Sequence, residues 1–182
     1  MFNILDNLNR RPLAFTDIET TGHLFGEHEI IEIGLVVADQ QSCKVIDRLN
    51  IKTRPVYIES ATPEALRRNG YKPEDWANAV PLKDAIEMYA SKTINTIFVA
   101  YNATFDWGFM NMAFQKTGVI DQMDYHRLDV LSIAWAKGMN KSDKWNLKVA
   151  CEMFGVSPEP EPHSAFNGAM TCYELYKKII SL

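Results

Sequence analysis

The pattern of hydrophobic and polar positions predicts strands in the first third of the chain and alternating helices and strands after it. Apolar, β-branched runs favour strands over residues 13–18, 30–38 and 43–52, and their short links are typical of an antiparallel meander. A further run at 96–101 is almost uniformly apolar, which favours a strand buried on both faces. Residues 125–129 predict a fifth, shorter strand.

Helices are predicted where apolar residues recur at intervals of three and four and where capping signals precede them. The predicted helices begin at residue 63 and cover 81–91, 102–116, 130–137, 146–154 and the segment from 164 onward. Strands followed by alternating helices and strands indicate an α/β fold with a central mixed sheet of five strands flanked by helices. Residues 1–12 are expected to form an N-terminal arm, and residues 13–182 a single domain.

The composition is that of an ordinary globular protein. Of the 182 residues, 47% are hydrophobic, and a net charge of −4 without a basic block argues against a tight, non-specific nucleic-acid binder. The argument is weak against a nucleic-acid enzyme, because acidic metal ligands can offset a basic groove. Three cysteines without a recognisable spacing indicate reduced thiols. With no secretory signal or membrane-spanning run, we expect a cytoplasmic protein without a membrane partner.

Two carboxylates, Asp17 and Glu19, stand two residues apart at the end of the first predicted strand, just before Thr-Thr-Gly. Alternate residues of a strand point to the same face, so both carboxylates project together. Like charges this close repel each other, and a hard cation such as Mg²⁺ or Mn²⁺ between them removes the repulsion. Considered alone, the pair is more simply explained as two surface acids at a solvated strand end.

Two further polar residues stand where an α/β fold places its site. Asp106 begins a helix directly after the buried strand, and Asn102, four residues earlier, can cap that helix. His163 follows a proline-rich connector and precedes the last helix. Considered alone, Asp106 is a first-turn acid that interacts with the helix dipole, and His163 is a surface residue.

Three segments change this interpretation when they are considered together. They are Phe15-Thr-Asp-Ile-Glu-Thr-Thr-Gly22 with Ile30-Ile-Glu-Ile-Gly34, Val99-Ala-Tyr-Asn-Ala-Thr-Phe-Asp106, and Pro162-His-Ser-Ala-Phe-Asn-Gly-Ala-Met-Thr171. In this order they resemble the three motifs of the DEDDh 3′→5′ exonucleases, which include polymerase proofreading subunits, ribonuclease T and oligoribonuclease. The resemblance covers roughly residues 12–180.

The resemblance implies a ribonuclease-H-like fold and two-metal hydrolysis that releases nucleoside monophosphates from the 3′ end of single-stranded DNA or RNA. Asp17, Glu19 and Asp106 would hold two Mg²⁺ or Mn²⁺ ions, and His163 would be the general base. The residues expected to contact the 3′-terminal nucleotide are Thr20, Thr21, Gly22, Asn102 and Phe105.

One position departs from the family's pattern. The third motif has a fourth carboxylate five residues after the histidine, and here that position is Gly168. Glycine inside a helix costs about 1 kcal/mol relative to alanine, so either close packing or the loss of a functional Asp must explain it. We favour the loss of an Asp and expect weakened metal binding and slow cleavage. If cleavage is fast, Asn167 or Glu174 is the expected replacement ligand.

The alternative function is a binding module. An exonuclease fold that has lost catalysis would bind nucleic-acid 3′ ends or dock on a partner. DNA and RNA both remain candidate substrates. A homodimer and a complex with a polymerase both remain candidate assemblies.

Overall fold

The computed structural model of the chain describes residues 7–182, and within them it contains one sheet of five strands. The strands are β1 (Leu13–Thr20), β2 (Ile30–Ala38), β3 (Val45–Lys52), β4 (Ile97–Ala100) and β5 (Arg127–Asp129). Their order is β3-β2-β1-β4-β5; β1, β2 and β3 are antiparallel neighbours, and β4 is parallel to both β1 and β5. The predicted meander and mixed sheet are confirmed.

Helices cover both faces of this sheet. Within residues 7–182 they are α1 (Pro63–Arg68), α2 (Leu82–Lys92), α3 (Ala103–Thr117), α4 (Val130–Ala136), α5 (Leu147–Phe154) and α6 (Ala165–Ile180), with 3₁₀ turns at Leu8–Arg10, Ile58–Ser60, Pro73–Trp76 and Met139–Lys141. Apolar residues of α2 and α3 pack on one face, and those of α4, α5 and α6 pack on the other. Within residues 7–182, no helix combines the length and the apolar character needed to cross a bilayer.

Capping residues explain where the helices of the site begin. The side-chain oxygen of Asn146 accepts a hydrogen bond from the backbone N–H of Val149, 2.9 Å away, at the start of α5. Ser164 occupies the same position before α6. After α5, Gly155 adopts φ 71°, a left-handed conformation that ends a helix at little cost for glycine.

Several strand boundaries differ from the prediction: β4 and β5 are shorter than the predicted 96–101 and 125–129, and β1 and β3 also differ. β1 extends two residues further, because Glu19 and Thr20 still pair with β2. β3 begins at Val45, because Cys43 adopts φ 54° in the preceding turn and cannot belong to a strand. Of the predicted arm, residues 1–6 lie outside the described residues, while Arg11 forms an ion pair of 3.2 Å with Asp124.

The first turn of α6 lies unusually close to the sheet. Gly34 on β2 is paired with Asp17 on β1, and a Cβ atom at Gly34 would collide with the backbone of Ala165. Only glycine therefore allows the helix to approach this closely. As a result, the start of α6 lies over the face of β1 that carries the two motif carboxylates.

Candidate active site

Asp17 and Glu19 project from the same face of β1, as the strand alternation predicts. Phe15, two residues earlier on that face, packs against Tyr173 and Tyr176 of α6, with ring centroids 5.4 and 5.3 Å away. Ile18, between the two acids, belongs to the opposite core under α2 and α3. Both carboxylates line a cleft with a volume of about 680 Å³.

Asp106 reaches the same cleft from a different element. It lies in the first turn of α3, its residue is 3% exposed, and its Oδ1 atom accepts a hydrogen bond from the backbone N–H of Ile18 at 3.2 Å. That bond holds the start of α3 against β1 between the two motif acids. The three carboxylates that were predicted as metal ligands therefore line one cleft, but among the described residues the ligand atoms that all lie within 4.8 Å of one another belong to Glu19, Glu159 and His163.

The start of α3 is capped by Asp129, not by Asn102 as predicted. Asn102 adopts φ 65°, and its backbone N–H donates to Asp129 Oδ1 at 2.9 Å. The N–H of Ala103 donates to the same oxygen at 3.1 Å. Because Asp129 provides the cap, the Asn102 side chain is left to line the cleft.

His163 lies at the rim of the cleft between two glutamates. Its Nδ1 atom is 3.0 Å from Glu159 Oε2, and its Nε2 atom is 3.3 Å from Glu161 Oε1. Its backbone N–H donates to the carbonyl of Arg68 at 3.1 Å, which ties the connector to the end of α1. A neutral imidazole has one N–H and can donate to only one of these two carboxylates.

Glu159 is a cleft residue that the sequence motifs did not include. Its side chain is only 8% exposed, and it lines the cleft together with Glu19 and His163. One ligand atom from each of these three residues lies within 4.8 Å of the other two. The signal in the sequence is the pair of acids in the Pro-Glu-Pro-Glu-Pro connector directly before the third motif.

The electrostatics of the cleft favour a cation. Burial, followed by the charges of Glu159 and Glu32, raises the pKa of Glu19 from its ordinary value of 4.5 to about 8. Burial also raises the pKa of Asp106 to about 8, and burial together with Asp106 and Glu19 raises the pKa of Asp17 well above its ordinary value. Among the described residues that line the cleft, Arg68 is the only lysine or arginine. Clustered oxygen ligands of this kind fit Mg²⁺ or Mn²⁺.

Four of the five predicted nucleotide contacts line the cleft: Thr20, Gly22, Asn102 and Phe105. Thr21 does not, because its side chain is fully buried and its hydroxyl accepts a hydrogen bond from the N–H of Glu29 at 2.8 Å. Its role is therefore corrected to holding the loop after β1. A Cβ atom at Gly22 would collide with the imidazole of His28, so a larger residue there would displace that ring.

Aromatic residues outside the motifs complete the cleft wall. Tyr101 and Trp145 line it, and the Tyr101 hydroxyl donates to the carbonyl of Trp145 at 2.9 Å. Trp145 is 50% exposed and lies edge-on to Trp135, with ring centroids 6.4 Å apart. The surrounding segment, residues 137–148, will be called the lysine segment because it carries four exposed lysines: Lys137, Lys141, Lys144 and Lys148.

The comparison with protein families agrees with this geometry. A family model described as RNase_T, exonuclease, matches residues 14–176. The chain belongs to this exonuclease family. Both the resemblance to the DEDDh exonucleases and the ribonuclease-H-like fold are thereby confirmed.

Individual members of the family are distant in sequence. Ribonuclease T of Shewanella frigidimarina is 27% identical over 184 residues, which covers 91% of this chain and 80% of that protein. A PolC-type DNA polymerase III of Thermotoga petrophila is 26% identical over 170 residues, covering 91% of this chain but only 12% of the polymerase.

Solved structures of exonuclease I share the fold. One superposes with a TM-score of 0.81 at 16% identity, covering 94% of this chain and 41% of that chain. The Escherichia coli exonuclease I complex with a dA16 oligonucleotide superposes with a TM-score of 0.80 at 16% identity, with the same coverage. The chain thus spans less than half of exonuclease I and about an eighth of the polymerase.

Gly168, where this chain departs from the pattern of the DEDDh exonucleases, faces Asp17 directly. A Cβ atom at Gly168 would collide with the Asp17 carboxylate, whose Cγ atom would be 2.6 Å away. Close packing is therefore present, and the loss of a functional Asp stays a prediction. Asn167 and Glu174 line a separate groove with Met170 and Lys177. Neither lines the cleft, which argues against both as replacement ligands.

Proposed function

We propose that this chain is a metal-dependent 3′→5′ exonuclease that removes nucleoside monophosphates from the 3′ end of single-stranded nucleic acid, at a rate reduced by the glycine at position 168. The observation that carries the proposal is the meeting of Asp17, Glu19 and Asp106 in one cleft. The chain's membership of the exonuclease family indicates which reaction this cleft would catalyse.

The three carboxylates fit a divalent cation, because they are withdrawn from water and repel one another. Asp17, Glu19 and Asp106 would hold Mg²⁺ or Mn²⁺. Once bound, such a cation polarises the scissile phosphate and makes water a stronger nucleophile.

His163 would take the proton from the attacking water. Its Nδ1 atom is fixed by Glu159, whereas its Nε2 atom faces Glu161, whose side chain is 77% exposed. A swing of Glu161 into solvent frees Nε2 to act as the base. Asn102 and Phe105 would hold the terminal nucleotide, with the ring of Phe105 fixed by Phe109 at a centroid distance of 5.2 Å.

Gly168 supports a second candidate function, a module that binds 3′ ends or docks on a partner without cleaving. In such a module the cleft with its three carboxylates and its aromatic wall would still bind a nucleic-acid strand, but no fourth carboxylate would complete the metal site. The PolC-type relatives are polymerases, which makes a polymerase a candidate partner. A homodimer stays a prediction of equal standing.

The deciding experiment is the shortening of 5′-labelled single-stranded oligonucleotides in Mg²⁺ or Mn²⁺. DNA and RNA versions are both needed, because the relatives include a ribonuclease and a protein crystallised with DNA. We expect a slow ladder from the unaltered chain, a faster one from Gly168→Asp, and none from Asp106→Asn. Gly168→Ala is the matched control, since it adds the same Cβ atom beside Asp17 without the carboxylate.

Each contrary result has a distinct meaning. If the unaltered chain and Gly168→Asp cleave at the same rate, Gly168 does not weaken the enzyme. If neither cleaves while both bind the oligonucleotide, the chain is a binding module. If Asp106→Asn cleaves as well as the unaltered chain, the assigned cleft is not the active site.

A further inference from the structure

The connector between α5 and α6 carries a buried acid into the cleft. Glu159 stands between Pro158 and Pro160, and Pro162 follows Glu161. Proline restricts φ to about −65°, so this short segment has few conformations available to it. The connector therefore holds the Glu159 side chain in a defined place, which is unusual for a residue outside regular secondary structure.

Both oxygens of Glu159 have partners that anchor the carboxylate beside the catalytic residues. Oε1 accepts a hydrogen bond from the N–H of Ser164 at 2.9 Å, immediately before α6 begins. Oε2 is 3.0 Å from His163 Nδ1. Ser164 also precedes Gly168 by one helical turn. Glu159 is therefore fixed at the N-terminal end of α6, the helix in which Gly168 stands in place of the fourth carboxylate.

The ligand atoms of Glu159 and Glu19 lie near the separation that a shared cation requires. Ligand atoms of Glu19, Glu159 and His163 lie within 4.8 Å of one another. Carboxylate oxygens bind Mg²⁺ at about 2.0–2.1 Å, so two ligands of one ion can be about 4 Å apart or less. Glu32 is the cross-strand neighbour of Glu19, yet it is not among the described residues that line the cleft.

We propose that Glu159 partly compensates for the missing fourth carboxylate by serving as a metal ligand together with Glu19. The inference rests on the proposed function, because it assumes that Asp17, Glu19 and Asp106 bind a divalent cation. Gly168 leaves α6 without an acid beside Asp17, and the connector brings one close to Glu19. The ligand would thus reach the site from a different element of the chain.

The direct test is Mn²⁺ binding, measured from the electron paramagnetic resonance signal of free Mn²⁺ in the absence of nucleic acid. We expect Glu159→Gln to weaken binding at least about tenfold, since even residues that only support metal ligands are worth about 10–100-fold. Glu161→Gln is the matched control: it lies in the same connector and also contacts His163, but its side chain is 77% exposed. It should bind Mn²⁺ as tightly as the unaltered chain.

Mn²⁺ binding by Asp17→Asn distinguishes failure of this inference from failure of the proposed function. If Asp17→Asn abolishes binding and Glu159→Gln does not change it, Glu159 only positions His163 and the inference is overturned. If neither substitution changes Mn²⁺ binding, the metal site itself is wrong. Melting curves in EDTA must show that Glu159→Gln is folded, and Glu159→Asp provides a second variant that keeps the charge and should retain part of the affinity.

Discussion

A buried carboxyl group destabilises a protein when no cation compensates its charge, and Asp106 is the clearest example in this molecule. It is 3% exposed and receives one backbone hydrogen bond, from Ile18. One neutral hydrogen bond does not offset the free-energy cost of removing a charge from water. Burial therefore raises the pKa of this group to about 8. The buried charge that would bind a cation therefore lowers the stability of the metal-free fold.

The substitution Asp106→Asn should reveal this effect. The amide can still accept from Ile18, and it removes the buried charge, so we expect the melting temperature in EDTA at pH 8 to rise by about 2–4 °C. Stabilisation by Mn²⁺ should be lost in the same variant. Asp143→Asn, at an exposed position of the lysine segment, should leave both quantities unchanged. A lower melting temperature for Asp106→Asn would show that the carboxylate is stabilising.

At the scale of the elements, one residue joins two helices at the edge of the site. Asp129 ends β5 and accepts from the N–H groups of Asn102 and Ala103 at the start of α3. It also caps α4, where Leu131 and Ser132 donate to its two oxygens at 3.3 Å each. The placement of Asn102 and of the first turn of α3 thus depends on a carboxylate from a neighbouring strand.

Asp129→Ala should destabilise the protein by about 2 kcal/mol, because each cap is worth about 1 kcal/mol. That loss corresponds to a fall in melting temperature of about 4–8 °C for a chain of this length. Ser132→Ala removes only a hydroxyl that contacts Asp129 Oδ2, and it should cost much less. Thermal unfolding followed by circular dichroism checks both variants, and equal losses would contradict the double cap.

The sequence predicted those features that depend on local patterns. Alternation on β1 placed Asp17 and Glu19 on one face, and the apolar run at 96–101 marked the strand that leads to Asp106. Asp129 and Glu159 were missed, because their roles depend on which distant segments meet in space. Glu159 lies in a connector without helical or strand periodicity. Asn102 stands directly before α3, whereas Asp129, which accepts a hydrogen bond from the N–H of Ala103, lies 26 residues further along the chain.

For the molecule as a whole, the acidic cleft makes stability depend on pH and on divalent cations. The pKa of Glu19 rises from 4.5 in its ordinary state to about 8 in the fold, so between these values the folded protein retains protons that the unfolded chain releases. The unfolded state then binds fewer protons, and the free energy of unfolding falls as the pH rises. Below pH about 4 the effect vanishes, because the carboxyl groups are protonated in both states.

We therefore expect the melting temperature in EDTA to fall by about 5 °C or more between pH 5.5 and pH 8. Saturating Mn²⁺ should remove the fall, because a cation that binds only the folded state stabilises it by mass action. Asp17→Asn should show a shallower pH dependence and little response to Mn²⁺. Differential scanning calorimetry at several pH values measures the fall in EDTA, its removal by Mn²⁺ and the behaviour of Asp17→Asn. A melting temperature that rises with pH in EDTA would contradict the assignment of raised pKa values to the carboxyl groups of the cleft.

The distribution of positive charge decides how an acidic chain can receive a polyanion. The net charge is −4, yet the lysine segment carries four exposed lysines and one acid, Asp143. Trp145, within that segment, lines the cleft and offers an exposed ring on which a base can stack. A strand whose 3′ end lies in the cleft would thus pass over aromatic and basic surface, the combination that single-stranded nucleic acids favour.

The salt dependence of binding tests this path. For single strands, each phosphate contact contributes about −0.7 to the slope of log K against log salt concentration, so Lys144→Ala with Lys148→Ala should reduce the slope by about 1.4. Trp145→Ala should weaken binding by about 1–3 kcal/mol without changing the slope, because stacking releases no counterions. Fluorescence anisotropy of a labelled oligonucleotide in EDTA measures both the slope and the affinity without cleavage.

Lys83→Ala, on α2 outside the cleft, is the control and should leave slope and affinity unchanged. If Lys83→Ala reduced the slope as much as the substitutions in the lysine segment, binding would be diffuse rather than directed toward Trp145.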